Sequence, residues 1–135
     1  MRQGLPYADS SVDEARSSHF VEHLDWPERV AFFNELYRVM KVGAVATIIT
    51  PHWSHACFYG DPTHKAPLSE WYVNYLKKEW RDSQAPHAPY TCDFDFLIAG
   101  SWDGKLNGRN QEYTQMAMNS QINAWRDLIV TLTKR

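Results

Sequence analysis

Cysteine is scarce in this chain: Cys57 and Cys92 are the only two among 135 residues, and they do not form a Cys-x-x-Cys pair. The sequence therefore signals neither a thiolate zinc site nor a disulfide framework. Charge of one sign is lacking as well. Fourteen Lys and Arg stand against sixteen Asp and Glu, a formal net charge of −2, which leaves no electrostatic footprint for nucleic acid or an anionic membrane. There is no long apolar run and no signal-peptide pattern, so the expectation is a soluble, cytoplasmic chain. Internal repeats and low-complexity segments are missing too. What these absences leave is a small-molecule substrate or a protein partner.

What is present is enough for a core. The hydrophobic fraction is 44% and the aromatic fraction 14%, which indicates a globular chain, and residues 1–135 read as a single domain. Val12 to Ser18 occupies the place of a strand but carries Asp13, Glu14 and Arg16, as an edge strand does. Asp25 to Met40 reads as a helix. Asp25 and Glu28 have capping-box spacing, Pro27 falls in the first turn, Val30, Phe33, Tyr37 and Met40 recur on one face, and Gly43 follows as the stop. Ala44 to Thr50 is an uninterrupted apolar run of the kind a strand buried on both faces requires. Strand, helix and strand at this spacing form a βαβ unit, whose crossover is right-handed.

Beyond it the pattern predicts a loop over Pro51 to Pro67 and a helix from Ser69 to about Asp82. A strand over Tyr90 to Ala99 follows, with Phe94, Phe96 and Ile98 on one face. A helix from Asn110 to about Ala124 and a terminal β-branched strand over Leu128 to Thr133 complete the chain.

Leu5-Pro6-Tyr7, Ser17-Ser18-His19 leading into Val21-Glu22-His23-Leu24, and Glu35-Leu36-Tyr37-Arg38-Val39-Met40-Lys41-Val42-Gly43 before an apolar strand together resemble the middle of a class I S-adenosylmethionine (SAM) dependent methyltransferase. The resemblance is dense over Leu5 to His52 and looser over Asp61 to Trp80. It implies an α/β fold: a partial Rossmann-like methyltransferase sheet with flanking helices. The family's seven strands lie in the order 3-2-1-4-5-7-6 with the seventh antiparallel, and this chain supplies the equivalents of strands 4, 5, 7 and 6. The expected remainder, three strands with their helices, amounts to on the order of 80 residues.

That remainder contains the family's glycine-rich SAM loop and the acidic residue that grips the ribose, so the expectation is a truncated cofactor site. The acidic residue that meets the adenine falls at Met1 or has no counterpart. Val42 stands where the family has Pro, and Ala44 where it has a second Gly.

In open parallel sheets the ligand lies outside the carboxyl ends of the strands, at the switch in strand order. The resemblance accordingly implies cofactor-binding roles for Ser18, His19, Glu22 and His23. His19, Asp61 and His64 are the acid–base candidates, should an acceptor need deprotonation; alignment of acceptor, methyl carbon and sulfonium is the larger requirement. His52 and His55, with Asp61 and His64, have a spacing a metal pair can use. The alternatives are an acceptor-pocket wall or plain loop hydrogen bonding, and no metal ligand is assigned. Trp53, Phe58 and Tyr59 either cover a substrate pocket or pack under the loop.

Two functions follow from the resemblance. One is SAM-dependent methyl transfer to a small-molecule or lipid-type acceptor, with a partner or a missing N-terminal half completing the site. The other is a non-catalytic methyltransferase remnant serving as an interaction or assembly module. Both expect an open edge on the fourth-strand equivalent, and hence a homo-oligomer or a second protein subunit.

Overall fold

A computed structural model describes residues 4–135; Met1, the position expected of the adenine-contacting acid, lies outside them. Four strands form one sheet in the order β1-β2-β4-β3, where β1 is Val12–Ser18, β2 Met40–Pro51, β3 Phe94–Trp102 and β4 Trp125–Lys134. β1 runs parallel to β2, pairing Ala15 with Ala46 and Ser18 with Ile49. β4 is antiparallel to both β2 and β3. This is the 4-5-7-6 arrangement implied by the family resemblance. The polar β1 is a full strand and forms one edge of the sheet, as its charges require.

The crossover from β1 to β2 is helix α1, Trp26–Val39. Asp25 accepts from the Glu28 backbone N–H at 3.0 Å while the Glu28 carboxylate accepts from Asp25 N–H at 2.9 Å, and Pro27 sits in the first turn. The capping box is thus complete. The helix stops at Val39, earlier than Gly43 suggests. Gly43 has φ +80° and lies inside the long strand β2, near the shift in β1–β2 register between Val12 and Glu14.

Three expectations need correction. The Ala44–Thr50 run is not covered on both faces. Ala44, Ala46, Ile48 and Thr50 are buried, whereas Val45 is 36% exposed and Thr47 and Ile49 are half-buried. One face of the sheet packs against Phe32, Phe33, Leu36, Leu68, Val73 and Leu76, with Leu128, Val130 and Leu132 supplying the β4 share. The other face, among the described residues, is only partly sheltered. Second, the Ser69–Asp82 helix is broken into α3 (Glu70–Val73), a 3-10 turn (Asn74–Leu76) and α4 (Lys78–Gln84). The buried Arg81 donates back to the Tyr75 carbonyl, which the break leaves outside the helical ladder, and forward to the Cys92 carbonyl. Third, β3 begins at Phe94 and not at Tyr90, and its Ile98 is 36% exposed.

The segment α2, Ala56–Tyr59, lies within the expected loop, and α5, Gln111–Ser120, is capped by Asn110, whose side chain accepts from Tyr113 N–H. Before β1, the Leu5–Asp9 stretch is tied to α1. Glu35 accepts from Leu5 N–H at 2.7 Å, and Arg38 donates to the Leu5 and Tyr7 carbonyls and to Asp9.

Candidate functional site

The candidate residues gather at the carboxyl ends of β1 and β2. β1 ends at Ser18, and His19 follows with φ +52°, its N–H bonded to the Ile49 carbonyl at 2.9 Å. That left-handed residue turns the chain off the sheet into a single 3-10 turn, Val21–His23. The His19 ring is half exposed and stands 3.5 Å from Glu22 Oε1 and 3.9 Å from Asp127. Glu22 is fully buried. Its Oε2 accepts from Thr50 Oγ1 at 3.2 Å, and its Oε1 has no hydrogen-bond partner.

The loop over residues 61–67 closes over this turn. Lys65 N–H donates to the Glu22 carbonyl at 2.8 Å. Arg29, 2% exposed, clamps the two pieces from α1: Nε donates to Val21 O at 3.0 Å, and the guanidinium donates to the Pro67 and Ala66 carbonyls. His64 thereby meets His23, their rings 4.8 Å apart, and Asp61 Oδ2 lies 3.7 Å from His64 Nε2. Thr63 donates to Asp61 through both its hydroxyl, at 2.6 Å, and its backbone N–H, at 2.8 Å. These bonds, the hydroxyl first, hold the Asp61 carboxyl below its ordinary range. Of the residues that could hold a metal, Glu22, His23 and His64 bring one ligand atom each to within 4.8 Å of one another.

The sequence reading grouped His52, His55, Asp61 and His64, and the fold separates them. His52 Nδ1 accepts from Ser54 N–H at 3.2 Å, which leaves Nε2–H to donate to Glu70 Oε1 at 2.8 Å. His55 Nδ1 accepts from Cys57 N–H at 3.0 Å, and its Nε2–H donates to Asp103 Oδ2 at 2.8 Å. Neither ring keeps a free lone pair, so the two do not form a metal pair. The histidines hold the Glu70 and Asp103 carboxyls below their usual range. The His52 ring also stacks on Trp125 at 4.6 Å. Gly100 makes room there, because a Cβ on it would fall 2.1 Å from the indole. Phe58 packs under the loop, whereas Trp53 and Tyr59 are exposed.

Two hollows flank these groups. An open groove of about 650 Å³ runs along the free edge of β1, lined by Leu5, Val12, Phe20, Phe32, Leu36 and Ile48, with Ser18 at one end. A smaller hollow of about 310 Å³ lies between His52, Trp53, Glu70, Met118 and Trp125. Sequence reasoning missed Arg29, Glu70 and Asp103, each of which partners groups distant in the chain and has no local signature.

An α/β sheet in this order, with its polar cluster at the carboxyl ends of two parallel strands, defines a Rossmann-like methyltransferase fold. Residues 2–48, about a third of the chain, match the model of a methyltransferase domain. The same fold occurs in a SAM-dependent methyltransferase from Archaeoglobus fulgidus, at 22% identity and a TM-score of 0.65 over 95% of this chain and 62% of that one.

It occurs also in the Streptomyces coelicolor geranyl diphosphate C-methyltransferase, solved with Mg2+, geranyl diphosphate and S-adenosyl-L-homocysteine (13% identity, TM-score 0.52, 97% of this chain and 50% of that one). A Haloferax volcanii chain, from the complex of the Trm112 methyltransferase activator with a methyltransferase, aligns at 13% identity and a TM-score of 0.55, over 96% of this chain and 57% of that one. This chain thus spans between half and two thirds of the length of these structures. No curated protein sequence matches it. No helix among the described residues is long and apolar enough to cross a membrane.

Proposed function

We propose that this methyltransferase-like chain takes part in SAM-dependent methyl transfer to a small-molecule or lipid-type acceptor, with a second polypeptide segment completing the cofactor site. The observation that carries the reading is the free edge of β1. It pairs with β2 alone among the described strands, its carboxyl end presents Ser18 and His19, and the apolar groove of about 650 Å³ lies alongside. In this fold the strand beyond β1 brings the glycine-rich turn against the cofactor, and no glycine-rich turn adjoins Ser18 in the described residues.

In this reading Ser18 and His19 face the methionine end of SAM, and His19 and Asp61 stand on the acceptor side. Asp61, kept ionised by Thr63, suits orienting a donor better than taking a proton. The apolar groove wall of Leu5, Val12, Phe32 and Leu36 is the surface that the completing strand covers. The activator complex among the fold's relatives supports completion by a partner, and a non-catalytic assembly role uses the same free edge.

Calorimetry with SAM tests the reading. The chain alone gives no micromolar binding, and binding appears, with transfer of a labelled methyl group, once the complementing strand–helix half is supplied as a separate polypeptide. Micromolar binding by the chain alone refutes the incomplete-site part. Complementation that restores the sheet but binds no SAM refutes methyl transfer in favour of the assembly module.

A further inference from the structure

Hydrogen-bond accounting at the 3-10 turn after β1 leaves a set of acceptors facing one another with no donor between them. His64 Nδ1 lies 2.6 Å from the Phe58 carbonyl. A carbonyl only accepts, so Nδ1 carries the proton and Nε2 bears a lone pair. His23 Nδ1 lies 3.3 Å from the Thr63 carbonyl and 3.1 Å from Thr63 Oγ1. That hydroxyl already donates to Asp61 Oδ1, so both contacts require His23 Nδ1–H, and its Nε2 is unprotonated as well.

The lone pair of His64 Nε2 has Asp61 Oδ2 at 3.7 Å, too far for a hydrogen bond. Glu22, fully buried, leaves Oε1 without a hydrogen-bond partner, the nearest ring nitrogen being His19 Nδ1 at 3.5 Å. Desolvated acceptors converging in this way are costly unless something positive lies among them.

We propose that Glu22, His23 and His64 form a binding site for a divalent transition-metal cation, Zn2+ by its donor set. Two imidazole nitrogens and one carboxylate oxygen lie within 4.8 Å of one another, and reach ligand distances of about 2.0–2.2 Å from one ion once the side chains draw in around it. This three-ligand set is that of an open zinc centre, with a position left for an exogenous oxygen. The outer contacts are those of a metal site: a backbone carbonyl on the far nitrogen of each imidazole, and the Thr50 hydroxyl on the second oxygen of Glu22.

Asp61 stands beside His64 to tune the ion or to enter as a further oxygen ligand. Arg29 and the Lys65–Glu22 backbone bond hold the two halves of the site together. The site assigns Glu22, His23 and His64 a role other than the cofactor and acid–base roles implied by family resemblance. It rests on these side chains and not on methyl transfer.

The test is isothermal titration of the full chain with Zn2+, and with Co2+ as a spectroscopic probe. One Zn2+ binds per chain, and Co2+ gives the visible absorption of a nitrogen- and oxygen-ligated low-coordinate ion, abolished by added Zn2+. His23→Ala, His64→Ala and Glu22→Gln each weaken binding by at least about tenfold, while His87→Ala, at an exposed histidine, leaves it unchanged. Circular dichroism confirms that each variant is folded. Should His64→Ala unfold, the isosteric Glu22→Gln and the half-buried His23→Ala decide alone. Absence of stoichiometric binding by the parent chain, or affinity unaltered in the folded variants, overturns the proposal.

Discussion

Replacing Arg29 by methionine removes the clamp between α1, the Val21–His23 turn and the 61–67 loop. Three carbonyls lose a donor: Val21, which keeps Leu24 N–H at 3.2 Å, Ala66 and Pro67. Hydrogen bonds to a charged group net about 1.5–3 kcal/mol each, so the gross loss is roughly 5–9 kcal/mol. Two effects oppose it. The substitution returns the desolvation cost of a buried guanidinium, several kcal/mol, the same burial that lowers the Arg29 pKa. Ala66 and Pro67 lie near the surface, where water can replace the lost donor, whereas Val21 is fully buried and cannot be rehydrated without opening the turn.

The expected net loss is about 3 kcal/mol, or a fall in Tm of roughly 10 °C for a domain of this size. Arg29→Lys keeps the charge but not the fork that reaches three acceptors, and recovers only part of the loss. Thermal unfolding followed by circular dichroism measures the change. Limited proteolysis locates it, because cleavage within the 61–67 loop rises in the variant. An Arg29→Met chain within about 0.5 kcal/mol of the parent would refute the clamp, and with it the account of how His64 is brought to Glu22.

The two thiols differ sharply in reactivity. Burial pushes Cys92 up to about 12, so at pH 8 a thiol reagent modifies only the exposed Cys57 until the chain unfolds. Because the folded pKa of Cys92 lies above its ordinary value, its stabilising share is intact below about pH 9 and is lost as pH rises toward 12; equal labelling of both cysteines in the folded chain contradicts this. Glu35 behaves in the opposite sense. The Arg38 guanidinium, with Leu5 N–H, lowers its carboxyl from 4.5 to about 2. Its contribution is therefore full above about pH 4.5 and disappears as pH falls toward 2. In acid titrations, Glu35→Gln removes that slope, and an unchanged profile would show that the Leu5–Asp9 tie to α1 contributes nothing.

Local chemistry was enough to read the frame. Asp25, Pro27 and Glu28 announce the start of α1 because capping is a short-range hydrogen-bond problem, and the apolar and β-branched runs around Ile48 and Val130 announce β2 and β4 by their composition and strand length. The polar residues of Val12–Ser18 placed β1 at an edge for the same reason. The motifs around Ser18, Glu22 and Arg38 gave the family, and through it the strand order that the structure adopts. The breaks went unseen where a distant group decided them. The helix after Ser69 is interrupted because Arg81 is drawn to carbonyls at Tyr75 and Cys92, and the Ala44–Thr50 run has one open face because no described element covers Val45.

The site divides along the same line. Sequence placed Ser18, His19, Glu22 and His23 at the end of β1, since they are neighbours in the chain. It grouped His52 and His55 with His64 by proximity in number, and tertiary structure sent each to a different carboxylate or carbonyl. Which nitrogen of an imidazole keeps its lone pair depends on the partner at the other nitrogen, and those partners, Glu70, Asp103, Thr63 and Phe58, come from short helices and loops that only the folded sheet brings together. The chain by itself determined what kind of sheet forms and which residues follow its first strand. Packing across residues 29 to 67 decided which side chains meet there, because hydrogen-bond pairing is settled by distance in space and not along the chain.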